Sequence, residues 1–240
     1  MDTLRPIDVA TWPRREHFEH YRHRVPCTYA MTIDVDVTEL VGALHGTPVR
    51  SSVAQMWALS TVVNRHEEFR MALDSSGDPA VWDVVHPSFT VFNQERETFA
   101  CVWTPHREDF ATFHREAVDV LDRYRTASSL FPQDDVPPNV FDVSSIPWAS
   151  FTGFTLGIRD AWDHLLPIFT IGRYRRTEDR VVMPLAVQIH HAAADGFHAA
   201  RLVTELQELF ASPQWTSGAA GWARAARVTR EEGDLRLAER

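Results

Sequence analysis

The stretch Arg180-Val181-Val182-Met183-Pro184-Leu185-Ala186-Val187-Gln188-Ile189-His190-His191-Ala192-Ala193-Ala194-Asp195-Gly196-Phe197-His198 joins two kinds of pattern. Residues 180–189 form a nearly continuous apolar run of strand length, which suits a strand buried on both faces. Gly196 to Phe210 reads as a helix, with Asp195 placed to cap it and Gly196 allowing close backbone approach. Between the two stand adjacent histidines, whose side chains point to opposite sides in an extended chain, so only one can face a given cleft. The end of a buried strand is where α/β proteins place their sites.

Working outward, Tyr29, Met31, Ile33 and Val35 alternate with Thr28, Ala30, Thr32 and Asp34, the period of a half-buried strand. Trp12 to Arg24 reads as a short helix with Phe18 and Tyr21 on one face, and Thr38 to Leu44 as another. A longer helix is expected over Ser51 to Arg65, starting at a serine N-cap. Phe69 to Leu73 and Ala80 to Val85 form a hairpin across Asp74-Ser75-Ser76-Gly77-Asp78. Further strands are read at Ser88 to Phe92, Glu97 to Trp103, Ala149 to Leu156 and Ile168 to Arg175. Arg107 to Arg123 is helical, and the long stretch after it is read as a loop because it holds Phe131-Pro132 and Pro137-Pro138. Strands interleaved with helices, without repeats or a low-complexity linker, indicate a single α/β domain around a mixed sheet over residues 1–212. Residues 213–240 read as a C-terminal extension, one surface helix or partly disordered chain.

Composition narrows the function classes. With 24 basic and 33 acidic side chains in 240 residues the net charge is −9, opposed to a duplex nucleic-acid or anionic-membrane partner. Two cysteines, Cys27 and Cys101, are too few for a disulfide framework, and no signal peptide or membrane span is read, so a reducing cytoplasm is expected. His17, His20 and His23 lack carboxylate or Cys partners at ligand spacing, and no metal is expected.

His190-His191-x-x-x-Asp195-Gly196 is similar to the HHxxxDG signature of the chloramphenicol acetyltransferase-like acyltransferases. Trp12-Pro13-Arg14-Arg15-Glu16-His17-Phe18, Tyr21-Arg22-His23-Arg24-Val25-Pro26-Cys27, Glu68-Phe69-Arg70-Met71-Ala72, Pro147-Trp148-Ala149-Ser150-Phe151, Phe169-Thr170-x-Gly172 and Met183-Pro184-Leu185-Ala186-x-Gln188 resemble the type A chloramphenicol O-acetyltransferases, in order over roughly residues 8–212. The resemblance implies a two-layer α/β sandwich and a homotrimer with sites at the subunit interfaces. It implies direct acetyl transfer from acetyl-CoA to a chloramphenicol hydroxyl, hence antibiotic resistance, with acetyl-CoA as co-substrate and no tightly bound cofactor.

By the same resemblance His191 is the general base, its other ring nitrogen held by a backbone carbonyl, and a neutral imidazole suits that task at neutral pH. Ser150 stabilises the oxyanion, Thr170 holds a water, and Asp195 pairs with Arg14 to keep the site's shape. Arg50, Arg173 and Tyr174 stand at CoA-binding positions, where arginines on a solvated edge would look the same. Tyr21, Val25, Cys27, Phe99, Phe131, Phe154 and Leu156 fall at or near acceptor-pocket positions, where core residues would look the same. Ile146 departs from the family, which commonly has Asn there. No Gly-x-Ser-x-Gly elbow marks a covalent route. Two other readings remain: a same-fold acyltransferase for another hydroxylated xenobiotic or a thiol-carried acceptor, and a non-catalytic CoA-binding trimer. A condensation domain would need two such lobes, and a dihydrolipoyl acyltransferase a lipoyl module.

Overall fold

The computed structural model describes residues 2–157 and 163–221. The apolar run becomes β10 (Arg180–His190), buried at every position after the first. It is the pivot of a mixed sheet whose other strands are β2 (Thr28–Asp36), β5 (His86–Asn93), β6 (Thr98–Trp103), β7 (Val140–Ile146) and β8 (Ile168–Gly172). Their spatial order is β2-β10-β8-β7-β5-β6, and β9 (Arg175–Thr177) pairs with the first residues of β10. The β5·β7 and β7·β8 pairs are parallel and the others antiparallel. A second, three-stranded sheet joins the hairpin β3 (Met71–Leu73) and β4 (Pro79–Trp82) to β1 (Leu4–Pro6).

One sheet face is covered by helices α2 (Thr38–Leu44), α3 (Ser51–Arg65), α4 (Phe110–Tyr124) and α5 (Gly196–Ala211). Met183, Leu185, Val187 and Ile189 of β10 meet Leu59, Phe113, Leu202 and Leu206 of those helices in one core. This is the expected two-layer sandwich. Side chains alternate along a strand, so Ala186, Gln188 and His190 lie on the opposite face with Thr32 of β2 and Thr170 of β8. Among the described residues that face is crossed by irregular chain: the amides of Phe154 and Leu156 donate to Thr32 Oγ1 at 3.2 Å and Gln188 Oε1 at 2.9 Å.

Those bonds correct the expectation of a strand over Ala149 to Leu156. Two of its backbone donors find side chains and none joins a ladder with a neighbouring strand among the described residues, so the segment runs over the sheet rather than along it. Phe151 seats on Gly172, where an added Cβ would lie 2.8 Å from the ring. The missing strand is β7, inside the stretch read as loop: Phe141 and Val143 enter the core while Asp142 and Ser144 face away. Ser51 is not the N-cap of α3; Arg50 holds that place, and its amide donates to His114 Nε2 at 3.0 Å. The helix expected over Trp12 to Arg24 is shorter, α1 (Arg15–Glu19), and continues as one π turn over His20–Arg24. Beyond Ser212, Trp215 stacks on Trp57 at 4.5 Å and meets Phe110 edge-on at 5.0 Å. The extension expected over 213–240 therefore starts on the body of the fold, and its part from 222 onward lies outside the described residues.

Candidate active site

β10 ends at His190, and the chain turns through His191 before α5. His190 stays in the interior: its Nδ1 accepts from the Ala192 amide at 3.1 Å. Burial, reinforced by the Arg22 charge, pushes its pKa down to about 4. A group that weakly basic takes up protons poorly at neutral pH. His191 is different. Its amide donates to the Cys27 carbonyl at 3.0 Å, which anchors the backbone to the chain entering β2. Its ring stacks on Tyr21 at 3.8 Å with planes 8° apart, and the edge of Tyr29 lies 5.3 Å away. The π turn is what brings Tyr21 over the imidazole, while Phe18 of α1 packs with Trp12. The expected carbonyl at the second ring nitrogen is not found: His191 Nδ1 is buried with no hydrogen-bond partner among the described residues. Its orientation rests on ring packing.

Behind the turn, Asp195 forms the expected ion pair with Arg14, Nη1 to Oδ2 at 2.7 Å, with 30% of the Asp195 side chain and 15% of the Arg14 side chain exposed. Asp195 also caps α5 by accepting from the Phe197 amide at 3.0 Å. Burial alone would raise its carboxyl; the Arg14 hydrogen bond and the His198 charge outweigh that and hold it at about 2. His198, which the sequence reading passed over, sits against the same carboxylate at 2.8 Å. The signal for it is the spacing Asp-x-x-His, a capping box with His where Glu or Gln is usual.

Ser150 and Thr170 lie elsewhere. Thr170 pairs with Ala186, four residues before His190 on β10, which is about 13 Å along the strand at ~3.3 Å per residue. Ser150 is at the far end of β8, where the Arg173 amide donates to the Ala149 carbonyl at 2.9 Å, and its Oγ is buried without a partner among the described residues. One chain therefore does not bring His191, Ser150 and Thr170 to one point.

The apolar residues divide in the same way. Tyr21 and Cys27 lie beside His191 at the β2 edge, and Val25 closes the π turn between them with its amide donating to the His20 carbonyl. Phe99 is on β6, five strands away, or about 24 Å at ~4.8 Å per strand. Phe131 follows Leu130, whose carbonyl accepts from Cys101 of the same strand at 2.7 Å. Phe154 and Leu156 cross β2 and β10 between them. Val25, Phe99 and Phe131 are 51%, 50% and 64% exposed.

Arg173 and Tyr174 join Ser51, Ser52, Gln55, Ser145, Pro147, Ile171 and Gly172 around a cavity of about 280 Å³. Tyr174 is packed on the core, bonded to Gln55 through its hydroxyl, and burial pushes the phenol up to about 12. Arg173 is exposed at the mouth. Arg50 pairs with Asp122 at 2.7 Å on the surface. Among the described residues no group of three or more His, Cys, Asp or Glu could hold a metal ion, and no helix is long and apolar enough to cross a membrane.

The profile of the family described as "Chloramphenicol acetyltransferase" matches residues 3–207. The chain is 66% identical over 213 residues to a chloramphenicol acetyltransferase of Streptomyces acrimycini, covering 89% of this chain and 97% of that one. It is 41% identical over 203 residues to chloramphenicol acetyltransferase 3 of Escherichia coli, covering 85% and 95%. A solved chloramphenicol acetyltransferase superposes with a TM-score of 0.76 at 23% identity, covering 87% of this chain and all of that one, a likeness of fold. A dihydrolipoamide acetyltransferase of Azotobacter vinelandii shares the fold at a TM-score of 0.62 and 18% identity, covering 89% and 98%.

Proposed function

The chain belongs to the chloramphenicol acetyltransferase family, and from that premise we infer that it is an acyltransferase moving an acetyl group from acetyl-CoA to a hydroxyl of chloramphenicol. The acetylated product has lost a free hydroxyl, which is how such an enzyme confers antibiotic resistance. The observation that carries this reading is the position of His191: at a strand end, with an anchored backbone and a ring held between two tyrosines.

In the proposed mechanism, His191 Nε2 removes the proton from the acceptor hydroxyl as its oxygen attacks the thioester carbonyl. Negative charge develops on the carbonyl oxygen, and the unpartnered Ser150 Oγ–H is the donor that meets it. Thr170 holds a water beside the developing charge. The tetrahedral intermediate collapses, the carbon–sulfur bond breaks, and the departing CoA thiolate takes the proton back from the His191 imidazolium. No acyl-enzyme forms. Arg173, together with Arg50 once it turns from Asp122 to the ligand, counters the net charge of −9 locally for the anionic CoA, and Tyr174 lines its path. Tyr21, Val25, Cys27, Phe99, Phe131, Phe154 and Leu156 enclose the acceptor.

These residues converge only if two copies share each site. We take the working form to be a homotrimer in which His191 of one subunit reaches across to Ser150, Thr170 and Phe99 of the next. The separations within one chain support this, as does the sheet face that only irregular chain crosses among the described residues. Residues 1–212 act as one acyltransferase domain with the remainder as an extension, and two unpaired cysteines suit a cytoplasmic enzyme. Thiol release from acetyl-CoA in the presence of chloramphenicol tests the function: wild type must release thiol, and His191→Ala must abolish nearly all of it.

A further inference from the structure

We propose that His198 is a positioning residue for the acyl transfer, clamping Asp195 from the side away from Arg14 and tying the His191 turn to Glu68. The inference rests on the acyltransferase reading and deepens it.

His198 is the third residue of α5, with only 11% of its side chain exposed. Its Nδ1 lies 2.8 Å from Asp195 Oδ1, and its Nε2 lies 3.3 Å from Glu68 Oε1. The outer oxygens of both carboxylates are taken by arginines: Arg14 at 2.7 Å on Asp195 and Arg201 at 3.1 Å on Glu68. The result is a continuous run of contacting side chains, Arg14–Asp195–His198–Glu68–Arg201, with an arginine at each end and an imidazole between the two carboxylates. The Glu or Gln of an ordinary capping box reaches back to the helix start and ends there. An imidazole has two ring nitrogens pointing apart, so it can do this and hold a second element as well.

That second element matters for the reacting group. Glu68 lies in the 3-10 turn Glu67–Phe69, directly before β3. Met71, the first residue of β3, lies in the same buried cluster as Ala192 and Ala193, the two residues after His191. The His191 turn is thus gripped twice by one segment, through Met71 packing and through the His198–Glu68 contact. His191 Nδ1 has no hydrogen bond of its own among the described residues, so the aim of the ring depends on its packing against Tyr21 and Tyr29 and on how this grip places the turn beneath it.

The two arms separate chemically. In His198→Asn the amide nitrogen stands where Nδ1 does and keeps the Asp195 arm; in His198→Gln it stands where Nε2 does and keeps the Glu68 arm. His198→Leu fills the space and keeps neither. The expected result is a fall in kcat of roughly 10- to 100-fold for Leu, with KM for both substrates changed less than about twofold, and intermediate kcat for Asn and Gln. The His191 ring ¹H–¹⁵N resonances shift in the Leu variant. Wild-type kcat in the Leu variant overturns the proposal, as does a loss of kcat equal in all three variants or unmoved His191 resonances. If the Leu variant does not fold, Glu68→Gln replaces it, with several-fold lower kcat expected and wild-type kcat overturning. A wild-type protein that releases no thiol overturns the acyltransferase reading instead, and the resonances still decide the positioning role.

Discussion

The turn that carries His191 and the segment that carries Ser150 are finished to different degrees. Around His191 the chain supplies much of its own architecture, an amide bond to Cys27, a capped helix, an ion pair of Asp195 with Arg14 and two tyrosine rings, and leaves the ring's Nδ1 unpartnered among the described residues. Around Ser150 the hydroxyl has no partner among the described residues and the backbone is irregular. Where a protein leaves a buried donor unpaired, the desolvation cost is met only by a later partner. By that measure both ends are left open, at His191 Nδ1 and at Ser150 Oγ, but the proposed base end already has its backbone and ring held by its own chain, whereas the proposed oxyanion end lacks a regular backbone as well.

The sharpest way to break this contrast is at the base. His191→Ala should lower kcat by about 10²–10⁴-fold in the thiol-release assay, and a smaller loss would move the proton acceptor elsewhere. Ser150→Ala should cost about 10²–10³-fold in kcat. Its melting temperature should match wild type, because no hydrogen bond is lost; a clear drop would mean that Ser150 belongs to the fold. Combining these two variants tests sharing directly. Co-assembly of equal amounts should regain about a quarter of wild-type activity, since random mixing gives that fraction of sites an intact His191 beside an intact Ser150. No recovery would place the whole site in one chain.

Smaller effects should appear in stability. Arg14→Met should cost about 1–3 kcal/mol by denaturant unfolding, less than for a fully buried pair because both side chains keep some exposure. The Asp195 carboxyl at about 2, below its ordinary 3.8, stabilises the fold above pH 4, and that contribution disappears as pH falls from about 4 to 2. Acid unfolding of Asp195→Asn should lack this component, and a curve parallel to wild type would show that the ion pair does not govern it.

The His191 side was far more legible in the sequence than the Ser150 side, for physical reasons. The run 180–189 and the Asp195-Gly196 helix start are local patterns, readable residue by residue. The Arg14–Asp195 pair spans 181 positions and was visible only through family resemblance. Residues 149–156 carry strand-forming side chains, yet their amides bond to Thr32 and Gln188 on distant strands, which no local period can announce. β7 was hidden behind Pro137-Pro138 and its own Asp and Ser residues. The unbonded His191 Nδ1 and the π turn that delivers Tyr21 depend on packing around the ring, so the family pattern identified the residue without giving its surroundings.

Gly172 gives the segment that carries Ser150 a built-in gauge. Phe151 approaches so closely that an added methyl group would sit 2.8 Å from its ring and 3.0 Å from Pro184. The distance between strand and overlying segment is therefore set by an atom that is missing, and Ser150 is the residue just before Phe151 on that segment. Widening the gap by a single carbon would retune the reaction from beneath, leaving every reacting group chemically intact and only its aim altered.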